Sequence, residues 1–222
     1  SVYTMRLVVG TPSGASHPPL LSDLEYRDNQ TLLLEEALRS LQYNNSADEP
    51  DLSERVFELR VSDGVELSDV VETRVTVIPI NDHAPVLDVG TTRAQFTEQA
   101  GSVVLTGSGL SVSDTDHNDV FPIVSASVWF VSNATSDWMS EVLSVETFGL
   151  GVSAEYNVTR RRLDLSGNAT VAEYESILET LRYNNTAVEP IPGARAVDVQ
   201  VYDGIFTSTI ERVLFDVHVV ND

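Results

Sequence analysis

The sequence predicts a mainly β protein made of tandem antiparallel β-sandwich domains, each with one inserted helix. Period-two alternation recurs in short runs, as at residues 110–114 and 123–131, with turn-forming residues between them. Residues 168–183 instead place apolar side chains at helical spacing. The whole pattern then repeats, because the Asn-Asp pair at 81–82 returns at 221–222, an offset of 140 residues (221 − 81).

The internal repeat is long and specific. Residues 41–50 read Leu-Gln-Tyr-Asn-Asn-Ser-Ala-Asp-Glu-Pro, and residues 181–190 read Leu-Arg-Tyr-Asn-Asn-Thr-Ala-Val-Glu-Pro. The Asp-Gly pairs that begin at Asp63 and Asp203 follow at the same offset. A fixed period of this length predicts two copies of one structural unit.

The first copy is incomplete. We predict a partial unit over residues 1–82, which holds only the later part of the repeat, and a complete unit over residues 83–222. Two explanations stay open: the chain is a piece of a longer array, or Ser1 marks a natural cleavage and another polypeptide supplies the missing strands. Any leader or anchor is expected outside this segment, because no apolar run reaches the ~18 residues that span a bilayer.

Local patterns place the elements of the second unit in chain order. Pro85 favours an extended start, because proline fixes its own φ and disfavours helix at the residue before it. Alternation and β-branched content define the strands, and Asp-Gly at 203–204 predicts the turn of the closing hairpin. The predicted strands span residues 94–98, 102–105, 110–114, 123–131, 150–158, 161–165, 196–202 and 210–220.

One helix is predicted in each unit. Thr170 followed by Glu173 predicts a capping box at the start of the second helix. Its expected inward residues are Val171, Tyr174, Ile177, Leu178 and Leu181. The equivalent helix of the first unit is predicted over residues 31–41, with Leu34, Leu38 and Leu41 facing inward.

The chain is strongly acidic. Its 222 residues include 34 acidic and 13 basic ones, which gives a formal charge of −21. This charge argues against a nucleic-acid partner and against an anionic membrane surface, and it would attract calcium or cationic partners. Hydrophobic residues make up 42 % of the sequence, so the charge is that of a folded acidic protein rather than a disordered one.

The sequence has no cysteine, so disulfides, thiol nucleophiles and thiolate metal sites are excluded. Six Asn-x-Ser/Thr sequons would accept glycans if the chain passes through a eukaryotic secretory pathway. They begin at Asn29, Asn44, Asn133, Asn157, Asn168 and Asn184.

Several motifs are similar to those of cadherin repeats. Residues 80–87, Ile-Asn-Asp-His-Ala-Pro-Val-Leu, resemble the cadherin interdomain linker. Glu98 in Phe-Thr-Glu resembles the glutamate motif near the start of a repeat, and Asp114-Thr-Asp116 resembles its Asp-x-Asp motif. The longer unit is similar to the cadherin-like tandem repeats of large surface adhesins and to the membrane-proximal ectodomain of calsyntenins. The resemblance implies cadherin- or Ig-like sandwiches in an extracellular, cell-surface glycoprotein.

Oxygen donors near the repeat boundary predict a calcium site, because Ca²⁺ takes six to eight oxygen ligands. The expected ligands are Asn81, Asp82, Glu98, Asp114 and Asp116. The alternative is a solvated acidic end of a sandwich. Pro79 and His83 replace two customary ligands of the cadherin linker, so at most a reduced site is expected. Asp63 and Asp203 could belong to ligand loops, but they are interpreted first as turn residues, since Asp-Gly between strands is a turn signature.

No sequence pattern of an enzyme is present: there is no Gly-x-Ser-x-Gly elbow, phosphate-binding glycine loop or zinc pattern. We therefore expect a non-enzymatic, extracellular cell-adhesion or spacer module, on the cell surface or secreted, with a homophilic or heterophilic protein partner. We expect no direct membrane insertion by this segment. The alternative is a receptor module that recognises a carbohydrate or a soluble protein. Adhesion predicts self-association, whereas a receptor module stays monomeric.

Overall fold

The computed structural model describes residues 2–8, 23–62, 65–90, 93–116, 120–131 and 134–220. The chain divides into two compact units, Ser1–Pro79 and Ile80–Asp222. The observed boundary follows residue 79, three residues before the predicted one (82 − 79). The described residues form fourteen strands and two α-helices, so the predicted mainly β class is confirmed.

The described residues of unit 1 form one sheet and one helix. In chain order its elements are β1 (Val2–Val8), α1 (Asp23–Arg39), β2 (Arg55–Ser62) and β3 (Val71–Val75). The strand order is β1-β2-β3, with β1 parallel to β2 and β3 antiparallel to it. The helix begins eight residues before the predicted Thr31 (31 − 23) and ends at Arg39, two residues early.

Unit 2 holds the remaining elements. They are β4 (Val86–Asp88), β5 (Ala94–Thr97), β6 (Val103–Val104), β7 (Ser111–Ser113), β8 (Ile123–Phe130), a 3-10 helix (Trp138–Ser140), β9 (Glu141–Ser144), β10 (Ser153–Asn157), β11 (Arg162–Ala169), α2 (Val171–Leu178), β12 (Arg182–Asn185), β13 (Gly193–Tyr202) and β14 (Glu211–His218). β9 and β12 were not predicted, because both are short and lack clear alternation.

The strands described in unit 2 form three sheets. The largest has the order β10-β11-β8-β13-β14-β5, and the smaller ones are β6-β12-β9 and β4-β7. Most strand pairs are antiparallel, as predicted, but β5 runs parallel to β14 and β1 parallel to β2. Both pairs join strands that are far apart in the chain, where no hairpin imposes an antiparallel arrangement.

Aromatic side chains join the two larger sheets face to face. Tyr183 lies on β12, and its ring centroid is 5.1 Å from that of Phe96, 6.1 Å from that of Phe130 and 4.7 Å from that of Phe215. Those three residues lie on β5, β8 and β14 of the six-stranded sheet. Unit 2 is therefore sandwich-like, with a core of tilted and edge-on aromatic contacts.

A buried ionic group lies next to this core. The Glu141 side chain is fully buried and accepts hydrogen bonds from Arg161 at 2.9 Å, from Arg195 at 2.8 Å and from the Tyr183 hydroxyl at 3.1 Å. A buried carboxylate is tolerated only when charges and hydrogen bonds replace water. The two arginines and the tyrosine supply that replacement, so the group ties β9 to β12 and β13.

The predicted capping box of α2 is confirmed. The Thr170 hydroxyl accepts the Glu173 N–H, and the Glu173 carboxylate accepts the Thr170 N–H at 2.8 Å. Tyr174, Ile177 and Leu178 are fully buried, as predicted. The helix is shorter than predicted because the residues before Thr170 extend β11, where Ala169 pairs with Ile123.

The closing hairpins of the two units are built alike. Arg55 is opposite Val75 in unit 1, and Arg195 is opposite Phe215 in unit 2, so both strand pairs have the same register at an offset of 140 residues. The isolated bridges Ser62–Leu67 and Tyr202–Thr207 follow the same offset. Local sequence therefore directs the same hairpin in both copies.

Candidate functional site

Two chain segments meet at one end of unit 2. β4 pairs antiparallel with β7, and Val86 is opposite Ser113. The chain that precedes β4, residues 80–85, and the chain that follows β7, residues 114–116, therefore leave this pair at the same end. The first segment carries Asn-Asp-His and the second carries Asp-Thr-Asp.

A third segment reaches this end through the main sheet. Asp203 directly follows β13, whose last residue, Tyr202, is opposite Ser125 near the start of β8. One oxygen of Asp203, Oδ1, accepts the backbone N–H groups of Ile205 and Phe206, both at 2.7 Å. These two hydrogen bonds stabilise the turn and hold the carboxylate in a fixed position.

Three carboxylates are brought together. Asp114, Asp116 and Asp203 each offer one oxygen, and these oxygens lie within 4.8 Å of one another. Ligand atoms of Asp82, His83 and Asp116 also lie within 4.8 Å of one another. Two oxygens bound to one calcium ion at ~2.4 Å can be no more than ~4.8 Å apart, so this spacing suits a shared cation.

Several oxygens at this end are buried without a hydrogen-bond partner. Among the described residues, they are Asn81 Oδ1, Asp114 Oδ2 and Asp203 Oδ2. Asp203 as a whole is only 4 % exposed. An unsatisfied buried acceptor costs about 1–3 kcal/mol, and more for a charged group. A cation bound at this end of unit 2 would give such oxygens a partner.

His83 holds Asp116 from the linker side. The His83 backbone N–H donates to Asp116 Oδ2 at 3.1 Å, and the ring Nδ1 lies 3.0 Å from Oδ1. Burial alone would raise the pKa of Asp116, but hydrogen bonds from the ring, from its backbone N–H and from the Asp82 N–H outweigh burial and hold this pKa below its usual value. Asp116 is therefore ionised at neutral pH and ready to bind a cation.

The pKa of Asp114 is shifted in the opposite direction, above its usual value. Burial raises the pKa of Asp114, and the negative charges of Asp116 and Asp203 raise it further, although the Asp116 backbone N–H partly offsets this. At an effective dielectric constant of 20, two carboxylates about 4 to 5 Å apart repel by roughly 3–4 kcal/mol. A divalent cation between them would turn this repulsion into attraction.

The chemistry of these donors suits calcium better than softer metals. The donors are carboxylate and amide oxygens, there is no thiolate, and the single imidazole already contacts Asp116. Ca²⁺ accepts irregular sets of oxygen ligands, whereas structural zinc sites in proteins use cysteine and histidine. Asn81, Asp82, Asp114, Asp116 and Asp203 could supply such a set.

The structure does not bring Glu98 to this group. Glu98 Oε2 accepts the backbone N–H of Val220 at 3.2 Å, just beyond the end of β14. Asp203 lies beyond the opposite end of that strand, because β13 and β14 are antiparallel. The prediction that Glu98 joins the other four ligands is therefore wrong. Glu98 lies at the far end of the unit, where the second Asn-Asp pair, residues 221–222, falls outside the described residues.

Asp203 was not among the predicted ligands, because its turn role was preferred over a ligand role. Asp-Gly was interpreted as a turn, and Asp203 does form one through Oδ1, while its second oxygen joins the acidic group. One signal was available in the sequence: the Asp recurs at Asp63, so the repeat retains it. His83 was noted as a departure from the cadherin linker pattern, and its contact with Asp116 was not expected.

The sequons are distributed over both units. Asn44, Asn157 and Asn168 are exposed, and Asn184 is half-buried on β12. Asn29 lies within α1, and Asn133 falls outside the described residues. Glycosylation at these positions stays a prediction. In the described part of the chain, no helix is long and apolar enough to cross a membrane.

No protein-family model matches the chain, and no curated protein matches it. Among solved structures, the chain is similar to a chain in the complex of the third ScaC cohesin with the ScaB dockerin from Acetivibrio cellulolyticus. The sequence identity is 9 % and the TM-score is 0.34, and the match covers 62 % of this chain and 99 % of the other chain.

A second similar structure is the Coh-OlpC–Doc435 complex, a type I cohesin–dockerin complex from Clostridium thermocellum. The identity is 9 % and the TM-score 0.32, over 64 % of this chain and 99 % of that one. At these TM-scores, neither likeness bears on function.

Proposed function

We propose that unit 2 binds Ca²⁺ through Asn81, Asp82, Asp114, Asp116 and Asp203, and that the chain acts as an extracellular adhesion or spacer module. One observation carries the proposal. Asp203 is almost fully buried, one of its oxygens has no hydrogen-bond partner, and its carboxylate lies beside those of Asp114 and Asp116. An acidic group of this kind is costly without a cation and strongly favourable with one.

The expected mechanism is mechanical. Residues 80–85 precede β4, and Asp203 belongs to the turn between β13 and β14. A cation that binds both would fix the linker segment against the sandwich of unit 2. Because the ion binds only the folded form, it also stabilises unit 2 by RT ln(1 + [L]/Kd). The result is a stiffened repeat, which suits a spacer in a surface array.

The partner that we propose is another protein, in the extracellular space. The acidic surface favours a partner with a basic or calcium-bridged surface. Self-association would indicate homophilic adhesion, and a monomer that binds another protein or a carbohydrate would indicate the receptor alternative. Sedimentation velocity with and without calcium separates these two outcomes.

The direct test is thermal denaturation in EDTA and in calcium. At a calcium concentration 100-fold above Kd, the stabilisation is about 2.7 kcal/mol. That corresponds to a rise in Tm of roughly 5–10 °C for a domain of this size. Asp203→Asn should remove most of the rise, because it removes one of the three clustered carboxylates while keeping the shape of the side chain.

Two control variants sharpen this test. Asp69→Asn removes an exposed aspartate of unit 1, so the calcium response should be unchanged. Glu98→Gln should lower the Tm in EDTA, because Glu98 is buried and hydrogen-bonded, but should keep the calcium response. A wild-type chain with no Tm shift at 10 mM calcium would refute the calcium proposal.

A further inference from the structure

Helix α2 contacts the strand that leads into the acidic group. β7 (Ser111–Ser113) ends directly before Asp114, and its buried central residue, Val112, is opposite Leu87 of β4. The Val112 backbone N–H donates to the carboxylate of Glu175, on α2, at 2.9 Å. Because successive N–H groups of a strand point to opposite edges, β7 is held by β4 at one edge and by α2 at the other.

Local helix chemistry does not explain the glutamate at residue 175. Helix α2 contains no basic residue, and the residue one turn further on is Glu179, which carries a like charge. Like charges at this spacing destabilise a helix. The half-buried Glu175 side chain instead accepts a backbone N–H of another element, and hydrogen bonds to an ionised acceptor are stronger than those between neutral groups. Glu175 therefore serves the position of β7 rather than the helix itself.

The segment from Val112 to Asp116 is braced internally. Asp114 Oδ1 accepts the Asp116 backbone N–H at 3.1 Å, which forms an Asx turn directly after β7. A displacement of β7 therefore moves both carboxylates together. Asp203, on the other side of the acidic group, belongs to the turn after β13 and is held there by its own hydrogen bonds. The separation of the two sides thus depends on where β7 lies.

We propose that Glu175 is a positioning residue of the cation site, on which it acts through Val112 and β7 without contacting the ion. This inference rests on the calcium site proposed above. Substitution of residues that orient metal ligands typically lowers metal affinity by roughly 10- to 100-fold. Glu175 acts through a backbone N–H two residues before Asp114, so an effect at the lower end, about tenfold, is expected.

The first test is isothermal titration of calcium into two variants of Glu175. Glu175→Ala removes the acceptor and should weaken calcium binding about tenfold. Glu175→Gln loses the charge but keeps an oxygen that can accept the Val112 N–H, so its Kd should stay within about twofold of the wild-type value. A Glu175→Gln chain that binds calcium as weakly as Glu175→Ala would overturn the proposal, because charge rather than the position of β7 would then control affinity.

A second readout needs no calcium. The Asp116 amide reports on the segment after β7, because its acceptor is Asp114 rather than Glu175. In EDTA, Glu175→Ala should speed hydrogen exchange of this amide at least about fivefold, and Glu175→Gln should leave it unchanged. Unchanged exchange of the Asp116 amide in a folded Glu175→Ala chain would overturn the positioning role, even if the calcium affinity fell.

Thr180→Val is the matched control. The Thr180 hydroxyl, just after α2, accepts the Glu146 N–H at 2.8 Å, so it also ties this helix to another segment, but to the one that follows β9. The substitution should lower the Tm and leave both the calcium affinity and the exchange of the Asp116 amide unchanged. A loss of calcium affinity as large as that of Glu175→Ala would overturn the proposal, because general loosening of α2 would then be the cause.

The outcomes separate this proposal from the calcium site on which it rests. A wild-type chain that binds no calcium overturns both proposals. Wild-type binding with unchanged affinity in a folded Glu175→Ala chain overturns the positioning role alone. If circular dichroism shows that Glu175→Ala does not fold, Glu175→Asp replaces it: the charge is kept, the side chain is one methylene shorter, and calcium binding should weaken at least about threefold. Unchanged affinity in that variant would overturn the positioning role equally.

Discussion

Unit 1 and unit 2 share sequence motifs but differ in how their side chains are buried. The Ser68 and Ser208 hydroxyls make the same hydrogen bonds, to the N–H of Val61 at 3.0 Å and of Val201 at 3.1 Å. Ser208 is nevertheless buried, with only 3 % of its surface exposed, whereas Ser68 is exposed to solvent. The hairpin geometry is therefore the same in both units, whereas the burial of equivalent positions differs between them.

The largest expected difference between the units concerns the paired tyrosines. Tyr183→Ala should lower the free energy of unfolding by about 3–5 kcal/mol, because it opens a cavity among three aromatic rings and leaves Glu141 short of a donor. Tyr43→Ala should cost less than about 1 kcal/mol, since Tyr43 is already 40 % exposed. Differential scanning calorimetry measures both. Equal losses would show that the two faces are covered alike.

A smaller effect is expected for the paired serines. Ser208→Ala leaves the buried Val201 N–H without its hydroxyl acceptor and should cost about 1–3 kcal/mol. Ser68→Ala removes the same hydrogen bond at an exposed position, where water replaces it, and should cost less than about 0.5 kcal/mol. Urea denaturation of the two variants compares them directly. A Ser68→Ala loss as large as that of Ser208→Ala would contradict the comparison.

The smallest effect concerns Asp114, a member of the acidic group in unit 2. In EDTA, Asp114→Asn should stabilise the chain at neutral pH by about 1 kcal/mol, because it relieves repulsion from Asp116 and Asp203. It should also weaken calcium binding, so the same substitution has opposite effects with and without the ion. Tm measurements in EDTA and in calcium test both signs.

The stability advantage of Asp114→Asn over the wild-type chain should depend on pH in a definite direction. The pKa of Asp114 is raised above 3.8 in the folded state, so the cost of its charge grows as pH rises from 3.8 to the folded pKa and is full above it. The advantage of Asp114→Asn in EDTA should therefore be full at neutral pH and disappear as pH falls through the raised pKa towards 3.8. Urea denaturation between pH 3.5 and 7 checks this, and an advantage that grows on acidification would contradict the shift.

Local patterns predicted most of the fold. The strand at Ile123–Phe130 has the predicted alternation, with Ala126, Val128 and Phe130 buried. The capping box placed the start of α2 correctly. The strand at Arg182–Asn185 was missed, because its sequence has no alternation of its own and pairing with β9 and β6 defines it. Tertiary contacts override weak local preference at such places.

The candidate site was only partly predictable for the same reason. Asp82 comes close to Asp116 because β4 pairs with β7, and Asp114 lies near Asp116 within the Asp-x-Asp motif. Glu98 was predicted to join the group but lies at the other end of unit 2, whereas Asp203 forms the predicted turn and also places an oxygen in the acidic group. Their positions depend on which end of β13 and β14 each one reaches, and the spacing of residues along the chain does not reveal that.

The most direct measurement is isothermal titration of calcium into the wild-type chain and into Asp203→Asn. We expect calcium to bind saturably to the wild-type chain and at least tenfold more weakly to Asp203→Asn. Because Asp203 accepts turn hydrogen bonds through Oδ1, circular dichroism of the variant must show that the fold is kept. Wild-type affinity in a correctly folded Asp203→Asn chain would contradict a cation site built around this buried carboxylate.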